Sequence, residues 1–479
     1  MGSLARLPRS QAAFALITLL FLGLGLLGLD RSCLDAADSA YLVSSDAIAR
    51  GLMPYRDFLA AHPPLLYLIG APLARLGMGV TPFRVFTLLI IAALGFVVYR
   101  LAQIITREGK TAILAGSLTL FAPLGLYFSK LYLNDSLIAL LAAGTLLLLM
   151  GMPEWRRSLA GLLCVLGLLT KLTFIPIFVI AVIFVLIYRR QSAKQFLLVS
   201  IAGTMMAYVA AQIFTDGAFL GDVLGAQASK AYSFTNFYEG LHRIWQIDWP
   251  LLVPAVVGLW FAWRYFKAKP EPGHRIPEKA FILFGWLIAG LVVLATLPAE
   301  GHDTNLFLVM EPAVAILAAW GLTGLLNRRS PATLALLVVW LLLMVPVLFI
   351  RDREYFTRSN SIDVSYVVTA AQERSTDCQP VLLPGCYAVE ADRPVTQDFY
   401  DQFLWEEKYR RGDEDAIALM DRLKQELAGT KPPVVVFEDD RATIEIVRPE
   451  LDANYKVDRQ SEQWPAITTW VPQADKKPG

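Results

Sequence analysis

The chain has 479 residues, of which 56% are hydrophobic and 18% charged, and its formal net charge is +1. Soluble domains carry roughly 25% charged residues, and a mean hydropathy of +0.49 over this length is more than a globular core absorbs. Composition therefore excludes an ordinary soluble domain, and the balanced charge offers no basic surface to a nucleic acid.

In chain order, apolar runs occur near residues 12–29, 84–106, 110–128, 135–152, 158–172, 174–190, 195–214, 250–267, 280–297, 304–326 and 332–350. Most approach the ~20 residues that cross ~30 Å of hydrocarbon. In lipid the backbone must satisfy its own polar groups, so these runs are expected as helices, about eleven in number. The fifth and sixth are short and read as a helical hairpin turning between Lys171 and Pro176. The first run lacks a clear cleavage site and is read as a retained span.

Lysine and arginine set the orientation. Arg6 and Arg9 precede the first run, and alternate loops carry Arg100, Arg107 and Lys110, then Arg156 and Arg157, then Arg189, Arg190 and Lys194. Arg264, Lys267, Lys269, Arg275 and Lys279 come next, and then Arg328 and Arg329. With the N-terminus in the cytoplasm, every inside loop is basic, as the positive-inside bias requires. An odd span count then puts residues beyond about 350 outside a plasma (inner) membrane.

Two loops on the outer side are long, at 30–83 and 216–249. Within the first, residues 38–50 have helical spacing with Tyr41 and Ile48 on one face. Residues 63–77 (PPLLYLIGAPLARLG) are apolar but too short to span. Both are expected as interfacial amphipathic helices joined by a turn at Pro54–Tyr55. After Ile350 the composition turns charged. Short β-type runs at 380–383 and 433–437 flank a polar helical stretch at 413–428, which suggests a small α/β soluble domain. The expected organisation is a transmembrane domain at 1–350 and an extracytoplasmic domain at 351–479. Cys378 and Cys386 fall in the latter, and both a disulfide and two free thiols stay open.

Polar residues collect on the outer side. The first loop holds Asp35, Asp38, Arg56, Asp57 and His62. The turn before the fourth run holds Lys130, Tyr132, Asn134 and Asp135. Lys171 ends the fifth run, and Glu300, His302, Asp303 and Asn305 open the tenth. Each alone has a bland reading: Asp135 as first-turn charge on a helix, Lys171 as a lysine snorkelling to the interface with little part in packing. That all of them share one side favours chemistry there.

These residues resemble a family. Asp38-Ser39-Ala40-Tyr41, then Gly51 to Phe58 (GLMPYRDF), then His62 to Tyr67 (HPPLLY) are similar to the first external loop of the GT-C glycosyltransferases. The likeness is strongest to the bacterial family 39 branch, akin to protein O-mannosyltransferases and lipid A aminoarabinose transferases. Tyr132 to Leu137 (YLNDSL) resembles that family's second acidic motif, Leu169-Thr170-Lys171 its external lysine, and His302 to Pro312 (HDTNLFLVMEP) the entry of a late span. The chain departs from the family in carrying Ser39 where glutamate is usual.

The resemblance implies a GT-C membrane fold and an inverting transfer of sugar from a polyprenyl-phosphate carrier to an acceptor hydroxyl on a lipid, glycan or protein. It implies Asp38 as general base, with Asp35, one turn earlier, as the alternative if the register is slipped. Lys171, Arg56 and Lys130 are the implied cations for the donor phosphate, and Asp135, Tyr55, His62, His302 and Asp303 complete the site. No cofactor is required, although a divalent metal held by Asp38 or Asp135 is compatible with the sequence. A transporter or flippase, or an assembly subunit without chemistry, is the rival reading. The orientation is directly testable: a membrane-impermeant thiol reagent added outside should label a cysteine introduced at Asp413 and leave one at Gly273 unlabelled, and the reverse pattern would invert the topology.

Overall fold

The computed structural model describes residues 9–27, 29, 36–151, 153, 155–228, 230, 232–267, 276–299, 304–328, 361–376, 380–382, 385–395, 402–410, 412–429, 431–438, 442–460 and 467–473. The apolar run at 332–350, Asp35, Cys378, the Cys386 side chain and the turn holding Glu300, His302 and Asp303 lie outside the described residues.

In chain order the helices are α1 (Arg9–Gly25), α2 (Ala36–Ala49), α3 (Leu65–Ala74), α4 (Thr81–Thr106), α5 (Gly109–Phe121), α6 (Pro123–Phe128), α7 (Asn134–Leu149) and α8 (Trp155–Leu168). Then come α9 (Ile175–Tyr188), α10 (Arg190–Leu197), α11 (Gly203–Phe214), α12 (Ala218–Ala228), α13 (Phe234–Lys267), α14 (Ile276–Leu294) and α15 (Glu311–Leu326). The chain groups into two compact units. One comprises Met1–Gly28, Val85–Ala210 and Lys230–Thr357, and the other Leu29–Arg84, Ala211–Ser229 and Arg358–Gly479.

The first unit is a helical membrane body. Among the described residues, four helices are long and apolar enough to cross a bilayer: Thr81–Thr106, Arg190–Phe214, Phe234–Lys267 and Ile276–Leu294. Shorter apolar helices of 10–17 residues accompany them, including Asn134–Leu149 and Glu311–Leu326. Several expected runs are interrupted, each for a local reason. The run at 110–128 breaks because Ala122, preceding Pro123, is driven to an extended ψ of 140°. The hairpin expected around Lys171 forms, with a single 3₁₀ turn at Leu172–Phe174 and Pro176 at the start of α9. The run at 304–326 opens as a 3₁₀ helix over Thr304–Val309 before Glu311-Pro312 starts α15, proline being pre-organised for a first helical turn. The loop expected at 216–249 is instead largely helical. It holds α12, and α13 begins at Phe234 and runs 34 residues, roughly 50 Å at 1.5 Å per residue.

Apolar side chains on these helices stay exposed: Leu16, Met205, Met206, Ile213 and Val256 are each more than 60% accessible. A surface of this kind suits lipid and would aggregate in water. Basic residues near helix ends are engaged locally. Arg264 and Arg328 both lie over the Trp260 ring, at 4.3 and 5.3 Å from its centre, and Arg189 forms a two-pronged ion pair with Glu278 at 2.9 and 2.6 Å.

Because lipid gives helices no hydrophobic reason to associate, close backbone approach has to hold them. Helix α13 packs along α15, and a Cβ on Gly258 would overlap the Leu317 carbonyl, while one on Gly321 would overlap that of Pro254.

The second unit holds α2, α3, α12 and the C-terminal segment. Helices α2 and α3 pack together where the two interfacial helices were expected. In the C-terminal segment the polar stretch forms the helix Glu414–Ala428, whose N-cap Asp413 accepts the Ala416 N–H at 3.1 Å. Strands β1 (Val435–Glu438), β2 (Tyr455–Gln460) and β3 (Ile467–Pro472) make an antiparallel sheet in the order β1-β3-β2, with Val435 and Val457 both opposite Trp470. In the run at 380–383, among the described residues, Val381 bridges Val395 and Leu382 bridges Val435.

The α13–α15 contact generates a test. Gly258→Leu should destabilise the protein in detergent by at least about 2 kcal/mol, since the backbone cannot yield to an inserted side chain. Gly23→Leu, where an added Cβ meets nothing within 4 Å, should leave the thermal midpoint unchanged.

Candidate active site

Polar side chains gather at two places, one in each unit. In the second unit Asp38 sits in the first turn of α2, where a carboxylate suits the helix dipole. It is fully buried, and its Oδ2 accepts from Arg84 Nη2 at 2.8 Å. Arg84, near the start of α4, is fully buried as well, and its Nε and Nη1 have no hydrogen-bond partner. Sequence reasoning passed over Arg84. Its signal was present: it is the first charged residue of an apolar 26-residue helix, and ionisable groups in such helices are functional candidates by default.

Around Asp38 stand aromatic and loop residues from the first-loop motifs. Tyr41 lies one turn along α2 on the same face, with its ring stacked on His62 at 5.8 Å and against Tyr67 at 5.7 Å. The turn between the two helices is built by its own side chains. Asp57 accepts the Met53 N–H at 2.7 Å, and Tyr55 donates its N–H to Phe58 O at 2.8 Å and its hydroxyl to His62 O at 2.6 Å. Tyr55 takes φ 67°, a left-handed conformation costing roughly 1–2 kcal/mol for a residue with a side chain. These bonds hold it there, and with it the backbone of His62. Arg56 turns onto Asp57 at 2.8 and 2.9 Å. The Arg56 guanidinium, then the Met53 N–H, hold the Asp57 carboxyl below the usual carboxylate range.

In the first unit Asp135 lies in the first turn of α7, fully buried. Lys171 reaches it with Nζ at 3.0 and 3.1 Å from the two carboxylate oxygens, and Asn305 Nδ2 donates to Oδ2 at 2.8 Å. Both bland readings change here. Lys171 is only 6% exposed, so it does not snorkel to water, and its charge is committed to Asp135. Asp135 is a first-turn carboxylate and half of a buried ion pair at once. The neighbouring Asn134 is fully buried, with neither amide atom partnered. Lys130 is buried in the same turn, and Tyr132 lies against Phe86 with ring centres 6.2 Å apart.

Two buried carboxylates also approach each other in this unit: Glu311, within the His302–Pro312 motif though not singled out there, and Asp248, which belongs to none of the sequence motifs. Asp248 on α13 accepts the Leu124 N–H at 3.3 Å, and Glu311 at the start of α15 abuts Gly125, where an added Cβ would sit 2.9 Å from Oε1. No group of three His, Cys, Asp or Glu is gathered for a metal among the described residues, and the two carboxylates named for one, Asp38 and Asp135, each face a basic side chain.

The Asp135–Lys171 pair predicts non-additive mutations. Removing either partner of a buried pair leaves an uncompensated charge, costing about 3–5 kcal/mol. Lys171→Met and Asp135→Asn should each lower the thermal midpoint, and the double variant should recover most of the loss. Additive losses would show that the pair is not formed.

The family model for glycosyltransferase family 87 matches residues 60–290, a stretch that starts beyond Asp38 and takes in Lys130, Asp135 and Lys171. No curated protein matches the chain significantly by sequence. Among solved structures, ArnT from Cupriavidus metallidurans bound to undecaprenyl phosphate is similar at TM-score 0.65 and 13% identity, over 97% of this chain and 98% of that one. The oligosaccharyltransferase of Archaeoglobus fulgidus tethered to an acceptor peptide is similar at TM-score 0.54 and 12% identity, over 98% of this chain and 74% of that one. Archaeal AglB from the same organism, in complex with an inhibitory peptide and a dolichol-phosphate, is similar at TM-score 0.56 and 11% identity, over 98% and 75%. The matching family is 87, so the narrower family 39 label read from the first-loop motifs is not confirmed. This multi-pass membrane protein thus shares the GT-C fold of ArnT and AglB over nearly its whole length, and a glycosyltransferase family model matches just under half of it.

Proposed function

We propose that the chain transfers a sugar from a polyprenyl-phosphate carrier to a hydroxyl acceptor on the extracytoplasmic side of the plasma membrane, with inversion at C1 and with Asp38 as general base. The observation that carries this reading is the buried Asp38–Arg84 pair: a carboxylate oriented by a guanidinium that still has two nitrogen atoms without partners. That ArnT and AglB of this fold were solved with lipid phosphates supports a lipid-linked donor.

The acceptor oxygen attacks C1 while its proton passes to Asp38, which removes the charge that would otherwise build on the nucleophile. The bond between C1 and the phosphate oxygen breaks, and the phosphate leaves with the electron pair. A single displacement of this kind inverts the anomeric centre. Developing negative charge on the leaving phosphate needs preorganised donors, and the unpartnered Nε and Nη1 of Arg84 supply them beside the base. Tyr55, Tyr41 and His62 shape the same loop. Lys171 and Lys130 remain candidates for the donor phosphate, with Lys171 having to exchange Asp135 for the ligand. Arg56 is the most exposed of these cations, with its side chain 45% accessible.

The rival reading, a transporter, draws on the buried Asp248 and Glu311, because ionisable groups within spans mark translocation paths. The test separates the two. Asp38→Asn keeps an acceptor for Arg84 but cannot take a proton, so turnover with a panel of polyprenyl-phosphate sugars should fall roughly 10²- to 10⁴-fold with undecaprenyl-phosphate binding retained. Normal turnover in the folded variant would remove Asp38 from the chemistry. Loss in Asp35→Asn alone would shift the base by one turn.

A further inference from the structure

The Asp38–Arg84 pair joins the N-terminal end of α2 to the start of α4. A second bridge joins the same two elements, and it comes from a remote part of the chain. The short helix Gly385–Ala391 packs on α2, with Tyr387, Ala388 and Ala391 buried. Two acidic side chains at its C-terminal end reach outward. Asp392 Oδ1 accepts from Arg50 Nη2 at 2.7 Å, just past the last turn of α2, where the Arg50 N–H is bonded to Asp46 O at 2.9 Å. Glu390 Oε1 accepts the Val80 N–H at 3.3 Å. Val80 O in turn accepts the Arg84 N–H at 3.2 Å, and Arg84 holds Asp38.

These contacts close a ring: α2, Asp38, Arg84, Val80, Glu390, Asp392, Arg50 and back to α2. The approach is tight. Gly79 takes φ 56°, and a Cβ there would overlap the Glu390 carboxylate, so the backbone before α4 is shaped to admit that side chain. The exposed Arg50–Asp392 link contributes little energy by itself, since Asp392 is 78% exposed. Its effect is geometric, fixing where the helix lies while Glu390 satisfies a backbone donor in the turn that leads to Arg84.

We infer that Glu390 is a positioning residue for the Asp38–Arg84 pair, and that the Gly385–Ala391 helix clamps the catalytic loop. The inference rests on the catalytic reading of Asp38 given above. It makes the C-terminal segment part of the machinery of transfer: without the clamp, α2 and the start of α4 lose one of the two bridges that fix the base against its guanidinium.

The experiment uses the full-length protein in nanodiscs. Glu390→Ala should lower kcat by roughly 10- to 100-fold, the scale of a small misplacement of a reacting group, with KM for the lipid-linked sugar changed less than about twofold. Glu390→Gln keeps an oxygen for the Val80 N–H and should restore kcat to near the starting value. Hydrogen exchange in residues 36–49 and 80–84 should quicken in Glu390→Ala and return to normal in Glu390→Gln. The exchange of charges in Arg50→Asp with Asp392→Arg should recover protection lost in either single variant. Unchanged exchange in 36–49 with unchanged kcat would overturn the clamp, and so would an equal loss of kcat in Glu390→Ala and Glu390→Gln. The exchange measurement needs no turnover, so it reads the clamp even where Asp38→Asn shows that the base lies elsewhere.

Discussion

Asp38 and Arg84 are both withdrawn from water, and neither charge could remain there without the other. Desolvating a lone carboxylate or guanidinium costs several kcal/mol, and only a well-placed counter-charge offsets it. The pair therefore dictates how α2 meets the start of α4. Other contacts of the second unit are consistent with that demand: the Tyr55 turn that returns the chain, the His62 ring laid on Tyr41, and the α2–α3 packing beneath them. A guanidinium has five N–H donors, and a single carboxylate oxygen leaves Arg84 under-used, which is a costly arrangement unless a ligand completes it.

The first unit meets the same constraint differently. Its helices are held by backbone approach at Gly258 and Gly321 and by apolar surface turned to lipid, and its buried charged clusters gather near places where a helix starts or breaks. Asp135 lies at the start of α7 and Lys171 in the turn before α9. Asn305 lies in the 3₁₀ turn before α15, and the Asp248–Glu311 pair is gathered at the break before Pro123. Helix ends carry unsatisfied backbone groups in any case, and interrupting a span there concentrates polarity without exposing it to hydrocarbon.

The pairing of Lys171 with Asp135 alters the electrostatic picture of the site. Counting charges along the sequence makes the turns on that side look rich in cations for a phosphate. In the structure Arg56 faces Asp57 and Lys171 faces Asp135, so much of that positive charge is neutralised locally. An anionic donor would then be received by groups with unused hydrogen-bonding capacity, of which Arg84 is a fully buried, positively charged example.

Much of this was legible in the sequence because lipid imposes a simple rule. Apolar runs near 20 residues and basic loops mark a membrane protein whatever its packing, and the helical spacing at 38–50, the turn at Pro54–Tyr55 and the apolar stretch at 63–77 marked α2, the joining loop and α3. Helix breaks at Pro123 and before Ile175 are likewise local, set by proline chemistry. Pairings across the chain were not legible. Nothing near Asp135 announces Lys171, 36 residues on, and nothing near Asp38 announces Arg84, 46 residues on. The small sheet was half legible: β1 was visible as an apolar run, whereas β2 and β3 carry polar residues such as Lys456, Asp458 and Thr468. Local sequence fixes dihedral preference and hydropathy. Which charge meets which depends on how helices pack, and that is decided only when distant backbone segments compete for the same buried volume.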